Sequence, residues 1–451
     1  MISPLDSKVL DINSEYLDVS VEALMHNAGS ALAETVTDMF PGRRVLYICG
    51  HGNNGGDGYV AVRISKSDCA YLKPPKTDLC KVQSQSVKAV PYDKELLNGY
   101  DVIVDCVLGT GVSGKLRDPF VGYVEDINSS GKIIVSCDVP TGFGTDMMVR
   151  PDVTVTFHDM KEGMDESNCG TIVVADIGIP DDACRYVGPG DMLRYPIPKV
   201  DSHKGQNGRL LIIGGGPYIG APAMAALAAL RIGCDLVHIA TPASSFAQIS
   251  AFSPAFIMHR IQGDVLSADS ADMLLSLSED VDAVLIGPGL GTSEDTQKAV
   301  RDFVKRCARP LVIDADGITA MAGSGIKKDT IYTPHHSEYR RLGGDSAPEK
   351  TAKDLGSVIV LKGREDLITD GERTRVNRTG SPGMTVGGTG DVLAGAIAGL
   401  LSKGMSSFDS GCLGAYICGR AGELSFDELS YGMMPTDVID NIGRVLRKEL
   451  P

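Results

Sequence analysis

The chain has no tryptophan, and its 14 tyrosines and 10 phenylalanines make up only 5% of 451 residues. That leaves little material for a base-stacking platform and argues against a single-stranded nucleic-acid binder. Basic charge is also short: 43 Lys and Arg face 58 Asp and Glu, a formal net charge of -15. No positive field exists to displace counterions from a polyanion, so any phosphate must be gripped locally. The eleven cysteines include no CxxC pair and no Cys/His ligand spacing, and their odd number excludes a fully paired disulfide framework. They read as reduced thiols. Long apolar runs are missing too, and Met1–Asp11 has no basic stretch leading into an apolar one, so neither a bilayer span nor a secretory leader is expected. The expectation is a cytoplasmic protein without nucleic-acid or membrane partners.

Glycine, by contrast, is plentiful, with 53 residues, and two clusters of it stand out. Gly52-Asn53-Asn54-Gly55-Gly56-Asp57-Gly58 follows the apolar run Val45–Cys49, and Gly383-Met384-Thr385-Val386-Gly387-Gly388-Thr389-Gly390-Asp391 precedes the helix-like Val392–Leu401. Glycine lets main-chain N-H groups crowd around an anion, and a following helix N-terminus adds positive potential. Two such cradles imply two sites for phosphorylated ligands.

A chain of this length exceeds one compact core and predicts two α/β domains of roughly 200 residues or more. Ser20 can cap a helix whose apolar positions, Val21 to Val36, recur at helical spacing up to Pro41-Gly42. Nearly continuous apolar runs then predict strands at 44–49, 102–106, 133–137 and 153–157, the pattern of a parallel sheet covered on both faces. The Cys69–Cys80 stretch, with Pro74-Pro75, offers little support for a regular strand. Between Tyr186 and Asn207, prolines and glycines without periodicity mark a linker, giving domains of residues 1–190 and 200–451. The second series has strands at 209–213, 236–240, 283–286, 311–313 and 358–361, alternating with helices such as 221–232 and 294–306. Both halves therefore read as α/β.

In open α/β sheets, ligands bind beyond the carboxyl ends of the strands. Asn53, Asn54, Gly55, Gly56 and Asp57 follow the first strand of the first half, and Asp105 ends the next. Gly109, Thr110, Gly111, Val112, Ser113, Gly114 and Lys115 fit both G-x-G-x-x-G and G-x-x-x-x-G-K, but Leu116 stands where a nucleotide triphosphatase needs a hydroxyl for magnesium. The run is either a tight strand-to-helix turn or a phosphate loop without that chemistry. Asp138-Val139-Pro140-Thr141-Gly142 follows the strand at 133–137, where Asp138 is either a turn cap or an acid/base group.

Together with Asn27-Ala28-Gly29, these motifs resemble the YjeF N-terminal domain of the NAD(P)H-hydrate epimerase family, over about the first 180 residues. The resemblance implies a Rossmann-like three-layer α/β/α domain that inverts the carbinol carbon of a hydrated nicotinamide dinucleotide. It also implies dinucleotide contacts from Asn53–Asp57, Gly109–Lys115 and Asp138, and a potassium ion held by Asn54, Asp105 and Thr141. Asp138 is the candidate acid/base. His26 departs from the family pattern, which is usually acidic there.

Gly383–Asp391 resembles the ribokinase-like signature; without further support it would be only a glycine-rich helix start with an acid in its first turn. Further segments agree: Lys204–Gly208, Gly220-Ala221-Pro222, Gly287-Pro288-Gly289-Leu290-Gly291, Val312–Gly317, and Thr333-Pro334-His335 followed by Glu338. Their order is similar to that of the ADP/ATP-dependent NAD(P)H-hydrate dehydratase family, from about Ser202 onward. The implied fold is a ribokinase-like α/β domain. Hydrated nicotinamide would lie near Ala221, Gly289, His335 and Asp391, and the adenine nucleotide near Lys362, Gly363, Arg364, Glu365 and Asp366. The phosphates would sit on Gly387, Gly388, Thr389 and Gly390, with magnesium, and Asp391 would act as the base. His335 could instead be a surface residue. Here His336-Ser337 replaces the usual Pro-Gly, and Asp366 stands where the family often has Thr.

The expected partners are hydrated NADH or NADPH, ADP or ATP, and further copies of the chain in a homo-oligomer. Two rival readings follow from the same residues. One is a small-molecule kinase of the ribokinase superfamily; the other makes the first domain a binding or oligomerisation module without chemistry.

Overall fold

The computed structural model describes residues 1–324, 330–344 and 347–450, which divide into two compact units, Met1–Ala183 and Cys184–Pro451. The division falls earlier than the linker read from the sequence. Val187 N donates to Val376 O at 3.0 Å, Arg375 pairs with Asp191 at 3.0 Å, and Tyr195 OH donates to Ile232 O at 2.9 Å. The prolines and glycines of this stretch therefore shape a 3-10 turn, Pro189–Arg194, anchored in the second unit.

The strands of the first unit are β1 (Val45–Cys49), β2 (Asp68–Tyr71), β3 (Ala89–Pro91), β4 (Val102–Cys106), β5 (Ile133–Cys137), β6 (Val153–Phe157) and β7 (Thr171–Ala175). They form one sheet in the order β3-β2-β1-β4-β5-β6-β7, with every pair parallel. Strands β4 and β6 are buried at every position; β4 is apolar except for Asp105, and β6 alternates valine with buried threonine before Phe157. The helix Val21–Met39 starts as expected, Ser20 Oγ accepting from Ala23 N, and buries Leu24, Ala28, Leu32 and Val36. The Cys69–Cys80 expectation is corrected. A short parallel strand does form there, because Asp68–Tyr71 ends before Pro74 and Pro75, which shape the loop beyond it.

The second unit contains β8 (Arg209–Ile213), β9 (Leu236–Pro242), β10 (Phe256–Ile261), β11 (Ala283–Ile286), β12 (Leu311–Ile313), β13 (Thr330–Tyr332), β14 (Val358–Leu361), β15 (Asp366–Thr369) and β16 (Thr374–Asn377). Their order is β10-β9-β8-β11-β12-β13-β14-β15-β16, parallel except for the hairpin β15–β16 and its pairing to β14. The helix Thr389–Ser402 is buried along nearly its whole length and packs on Gly220–Arg231. Contact is close: a side-chain carbon at Gly395 would stand 2.1 Å from Ala225 O. Small residues on both helices permit that approach.

In each sheet the strand order reverses once in the middle, between β1 and β4 and between β8 and β11. Cys49 lies opposite Cys106 and Ile213 opposite Ile286, so the loops that follow leave the sheet at one level. Each reversal opens a crevice at the carboxyl edge. No helix of the described residues is long and apolar enough to cross a membrane.

Candidate active sites

The helix Asn53–Ser65 starts directly after β1 with Gly52 at its cap and no side chain satisfying its first N-H groups. Gly55 and Gly56 are buried within it. A side-chain carbon at Gly55 would stand 2.2 Å from Gly50 O, so glycine here serves close approach of helix to strand end. Asn53, Asn54 and Asp57 face a cavity of about 450 Å³, together with Gly109–Val112 and Asp138.

Asp138 is held in left-handed backbone geometry, φ 62°, by a bond from its N-H to Val155 O at 2.7 Å. Its Oδ1 lies 2.6 Å from Lys161 Nζ, a side chain only 3% exposed. Lys161 also donates to Thr156 Oγ1 at 3.0 Å and Phe157 O at 2.9 Å. Two more carboxyls join this pair. Burial, then the charge of Asp138, raises Asp11 to about 6, with Lys161 opposing; the same causes raise Asp57.

Beneath the cavity floor Asp105 is fully buried and accepts from Thr141 N at 2.8 Å, Thr141 Oγ1 at 2.7 Å, Tyr123 OH at 3.0 Å and Ser136 Oγ at 3.2 Å. Burial raises its carboxyl, and the hydrogen bonds it accepts oppose that rise without cancelling it. Both polar atoms of the Asn54 side chain are buried without a hydrogen-bond partner.

In the second unit, the helix Thr389–Ser402 begins at Gly388, φ 108°, which packs against Met224 and Pro435 where a side chain would collide. Asp391 sits in its first turn. Burial, then the charge of Asp314, raises its carboxyl to about 7; Lys362 opposes, and Asp316 and Glu338 reinforce. Lys362 Nζ lies 2.9 Å from Asp314 Oδ1, and Thr333 Oγ1 donates to the same atom at 2.7 Å. Burial works against the Lys362 charge, but Asp314, Glu338 and Asp391 hold it above the usual lysine range. Loops after β12, β13 and β14 thus converge on the start of one helix.

Beside Gly390 opens a cavity of about 740 Å³, lined by Lys362, Gly363, Arg364, Asp366, Arg378 and Thr389 among others. Asp366 accepts from Gly363 N at 3.1 Å and Asn377 Nδ2 at 3.1 Å, and burial raises its carboxyl. Two arginines and a lysine at one opening suit a polyphosphate.

Residues 210–444 match the NAD(P)H-hydrate dehydratase family, and residues 21–163 match the YjeF-related protein N-terminus. A bifunctional NAD(P)H-hydrate repair enzyme of Pyrobaculum aerophilum is 40% identical, over 99% of this chain and 98% of its own. Its counterpart in Archaeoglobus fulgidus is 39% identical over 98% and 97%. The chain belongs to the bifunctional NAD(P)H-hydrate repair family. The second domain is also similar to an ADP/ATP-dependent NAD(P)H-hydrate dehydratase from Bacillus subtilis that was co-crystallised with ATP and Mg2+. That structure has TM-score 0.52 and 26% identity, covering 59% of this chain and 99% of the other.

Against this family pattern, the geometry separates the predicted residues. Asn53, Asn54, Asp57, Gly109–Val112 and Asp138 share the first cavity, whereas Ser113, Gly114 and Lys115 are exposed outside its lining. The Gly109–Lys115 run does not open a helix, because the next one begins at Phe120. Asp105 and Thr141 are fully buried and lie outside that lining. In the second domain of this chain, Lys362, Gly363, Arg364, Asp366, Thr389 and Gly390 line the cavity of about 740 Å³; Glu365 is exposed outside that lining, and Gly387 has open space around it. Ala221 is in the first turn of the helix Gly220–Arg231, and Gly289, on the loop after β11, abuts Tyr218 O just before that helix. His335 caps a helix: Ser337 N and Glu338 N donate to its Nδ1 at 3.1 and 3.2 Å. Its ring is about half exposed.

Sequence reasoning missed Asp11, Lys161 and Arg378. Asp11 belongs to the helix Pro4–Tyr16, far in sequence from the strand-end loops, and no local motif marks it. Lys161 follows β6 by four residues, a position that the strand-end rule could have flagged.

Proposed function

We propose that the first domain interconverts the R and S epimers of hydrated NADH or NADPH, and that the second dehydrates the S form at the expense of ADP or ATP. The observation that carries this reading is Asp391, a carboxyl raised to about 7, in the first turn of a glycine-started helix beside a basic cavity. A base of that strength suits proton abstraction from an alcohol near neutral pH.

In the dehydratase site Asp391 takes the proton of the carbinol hydroxyl as the hydroxyl oxygen attacks the terminal phosphorus of the nucleotide, and the bridging P–O bond breaks with its electron pair going to the departing AMP or ADP. The phosphate ester then departs with the C–O bonding pair, and loss of the neighbouring ring proton restores the double bond. Lys362, fixed by Asp314, and the arginines at 364 and 378 orient the polyphosphate, and Gly387–Gly390 bring main-chain N-H groups to it. Magnesium, when bound with the nucleotide, would supply charge neutralisation to its phosphates; among the described residues no group of three acidic, histidine or cysteine side chains stands together to hold the ion without them. Ala221, Gly289 and His335 border the hydrated ring.

In the epimerase site, Asp138 takes the hydroxyl proton, the carbinol C–O becomes a carbonyl, and the C–N bond breaks with its electron pair going to nitrogen. Asp11, largely protonated below about pH 6, gives its proton to that nitrogen. Rotation of the aldehyde and reversal of both transfers closes the ring on its other face. Potassium would supply positive charge to this site; the unpartnered Asn54 amide oxygen, with the buried oxygens of Asp105 and Thr141, would hold it.

The test is to incubate the protein with mixed hydrate epimers, Mg2+, K+ and ADP or ATP while following recovery of reduced-cofactor absorbance. Full recovery is the expected result. Recovery of the S fraction alone would leave the first domain without chemistry, and a stable phosphorylated product would favour a kinase. Two further outcomes bear on the roles. Asp11→Asn is expected to slow epimerisation by about 10- to 100-fold and to remove the pH limb near 6, with the dehydratase rate unchanged. An unaltered pH profile would reject Asp11 as the acid. Asn54→Ala is expected to raise the half-saturating K+ of epimerisation roughly tenfold or more; equal K+ response in both proteins would reject the assignment.

A further inference from the structure

We infer that the loop after β2 forms a subsite for the 2′-phosphate on the adenosine ribose, so that hydrated NADPH is preferred over hydrated NADH by the first domain. The inference rests on the epimerase reading above, which puts the reacting ring at Asp138. Asp138 follows β5, on one side of the strand-order reversal, and the helix that starts at Asn53 lies at the reversal itself. A dinucleotide with its ring at Asp138 and its diphosphate on that helix start must send its adenosine to the other side, over β1 and β2.

The chain places cations there. Leu72 N donates to Cys49 O at 3.1 Å and Lys76 N to His51 O at 2.8 Å, which fastens the loop after β2 to the loop after β1. A second opening is lined by His51, Lys73, Pro74, Pro75, Lys76 and Lys81, and His51 also lines the cavity that holds Asp138. The two openings therefore adjoin at His51. Lys73 Nζ lies 4.6 Å above the Phe120 ring, which also stacks on His51 at 6.0 Å. His51 Nδ1 is buried without a partner. Lys81 is already paired with Asp78 at 2.9 Å, which leaves Lys73 and Lys76 as the cations for a ligand.

A dinucleotide fold selective for an unphosphorylated ribose presents a carboxylate at the end of its second strand, where it accepts from the 2′-hydroxyl and repels a phosphate. Here the strand ends Tyr71-Leu72-Lys73-Pro74-Pro75-Lys76. The acidic residue of β2, Asp68, is at the opposite end and accepts from Tyr100 OH at 3.0 Å. Two lysines in an opening whose lining holds no acidic residue attract a dianion, and the two prolines limit the loop's freedom before the ligand arrives.

The experiment compares epimerisation of hydrated NADPH and hydrated NADH by the full chain and by Lys73→Ala/Lys76→Ala. Wild type is expected to favour the phosphorylated hydrate by about 10- to 100-fold in kcat/KM. In the double variant the ratio is expected to fall towards one through a higher KM for hydrated NADPH, with hydrated NADH turned over as before, which also reports that the domain is folded. A ratio unchanged by the substitutions, or a wild-type preference for hydrated NADH, would overturn the inference. If wild type epimerises neither hydrate, the underlying reading fails instead. The subsite is then judged by titration with adenosine 2′,5′-bisphosphate: weaker binding to the double variant upholds it, and equal binding overturns it.

Discussion

Asp391→Asn is expected to lower nucleotide-dependent recovery of reduced cofactor by about 10^2- to 10^4-fold, or roughly 3–5 kcal/mol in the barrier. Asparagine keeps the shape of the side chain and removes the proton acceptor, so nucleotide affinity should stay close to wild type. Retention of near-normal turnover would refute the base. A pH signature accompanies this loss. Burial and Asp314 raise the carboxyl to about 7, so the ionised form that accepts a proton declines below that pH, and wild-type turnover should fall with it. Stability moves the other way. The folded state binds the proton more tightly than the unfolded chain, so folding weakens as pH rises from about 4 to about 7. The asparagine variant should therefore gain melting temperature over wild type at pH 8 and gain little at pH 4.

The second large effect is expected at Asp138. Replacement by asparagine should slow epimerisation by about 10^2- to 10^4-fold, leaving the dehydratase to consume only the S fraction of a mixed pool. Absorbance recovery would then stop part-way and resume slowly, at the spontaneous rate of epimer exchange. This variant also strands the ammonium of Lys161, which is 3% exposed and 2.6 Å from the lost charge. Breaking a buried pair from one side costs about 3–5 kcal/mol, so a lower melting temperature is expected. Asp138→Asn/Lys161→Met separates the two consequences: stability should return while epimerisation stays low. If the double variant regains epimerisation, the carboxylate has no chemical role.

Much of this architecture can be read from the chain because the inner strands are covered on both faces. Val102–Cys106, Leu311–Ile313 and Val358–Leu361 are buried throughout, and burial leaves an apolar run as its trace. Strands at the margins leave none. β7 exposes Thr171 and Val174, β10 carries His259 and Arg260 in its interior, and β15–β16 begin and end on polar residues in a partly open hairpin. The site divides along the same physical line. Glycine runs, Asp138, Asp391 and Lys362 stand at strand ends or helix starts, where position alone implies chemistry. Asp11 looks like any polar residue on an amphipathic helix; only folding turns it toward carboxyls more than 40 residues away. Arg378 likewise follows a hairpin edge and gains meaning from the cavity beside it.

The left-handed turn at Asp138 has a consequence for how this position tolerates change. Most residues resist φ near 60°, and asparagine and glycine adopt it readily. A valine or isoleucine there would bend the peptide before its side chain mattered. The aim of the carboxyl is thus written in the main chain, which makes this corner stiff ahead of any ligand and leaves adaptation to the loops around it.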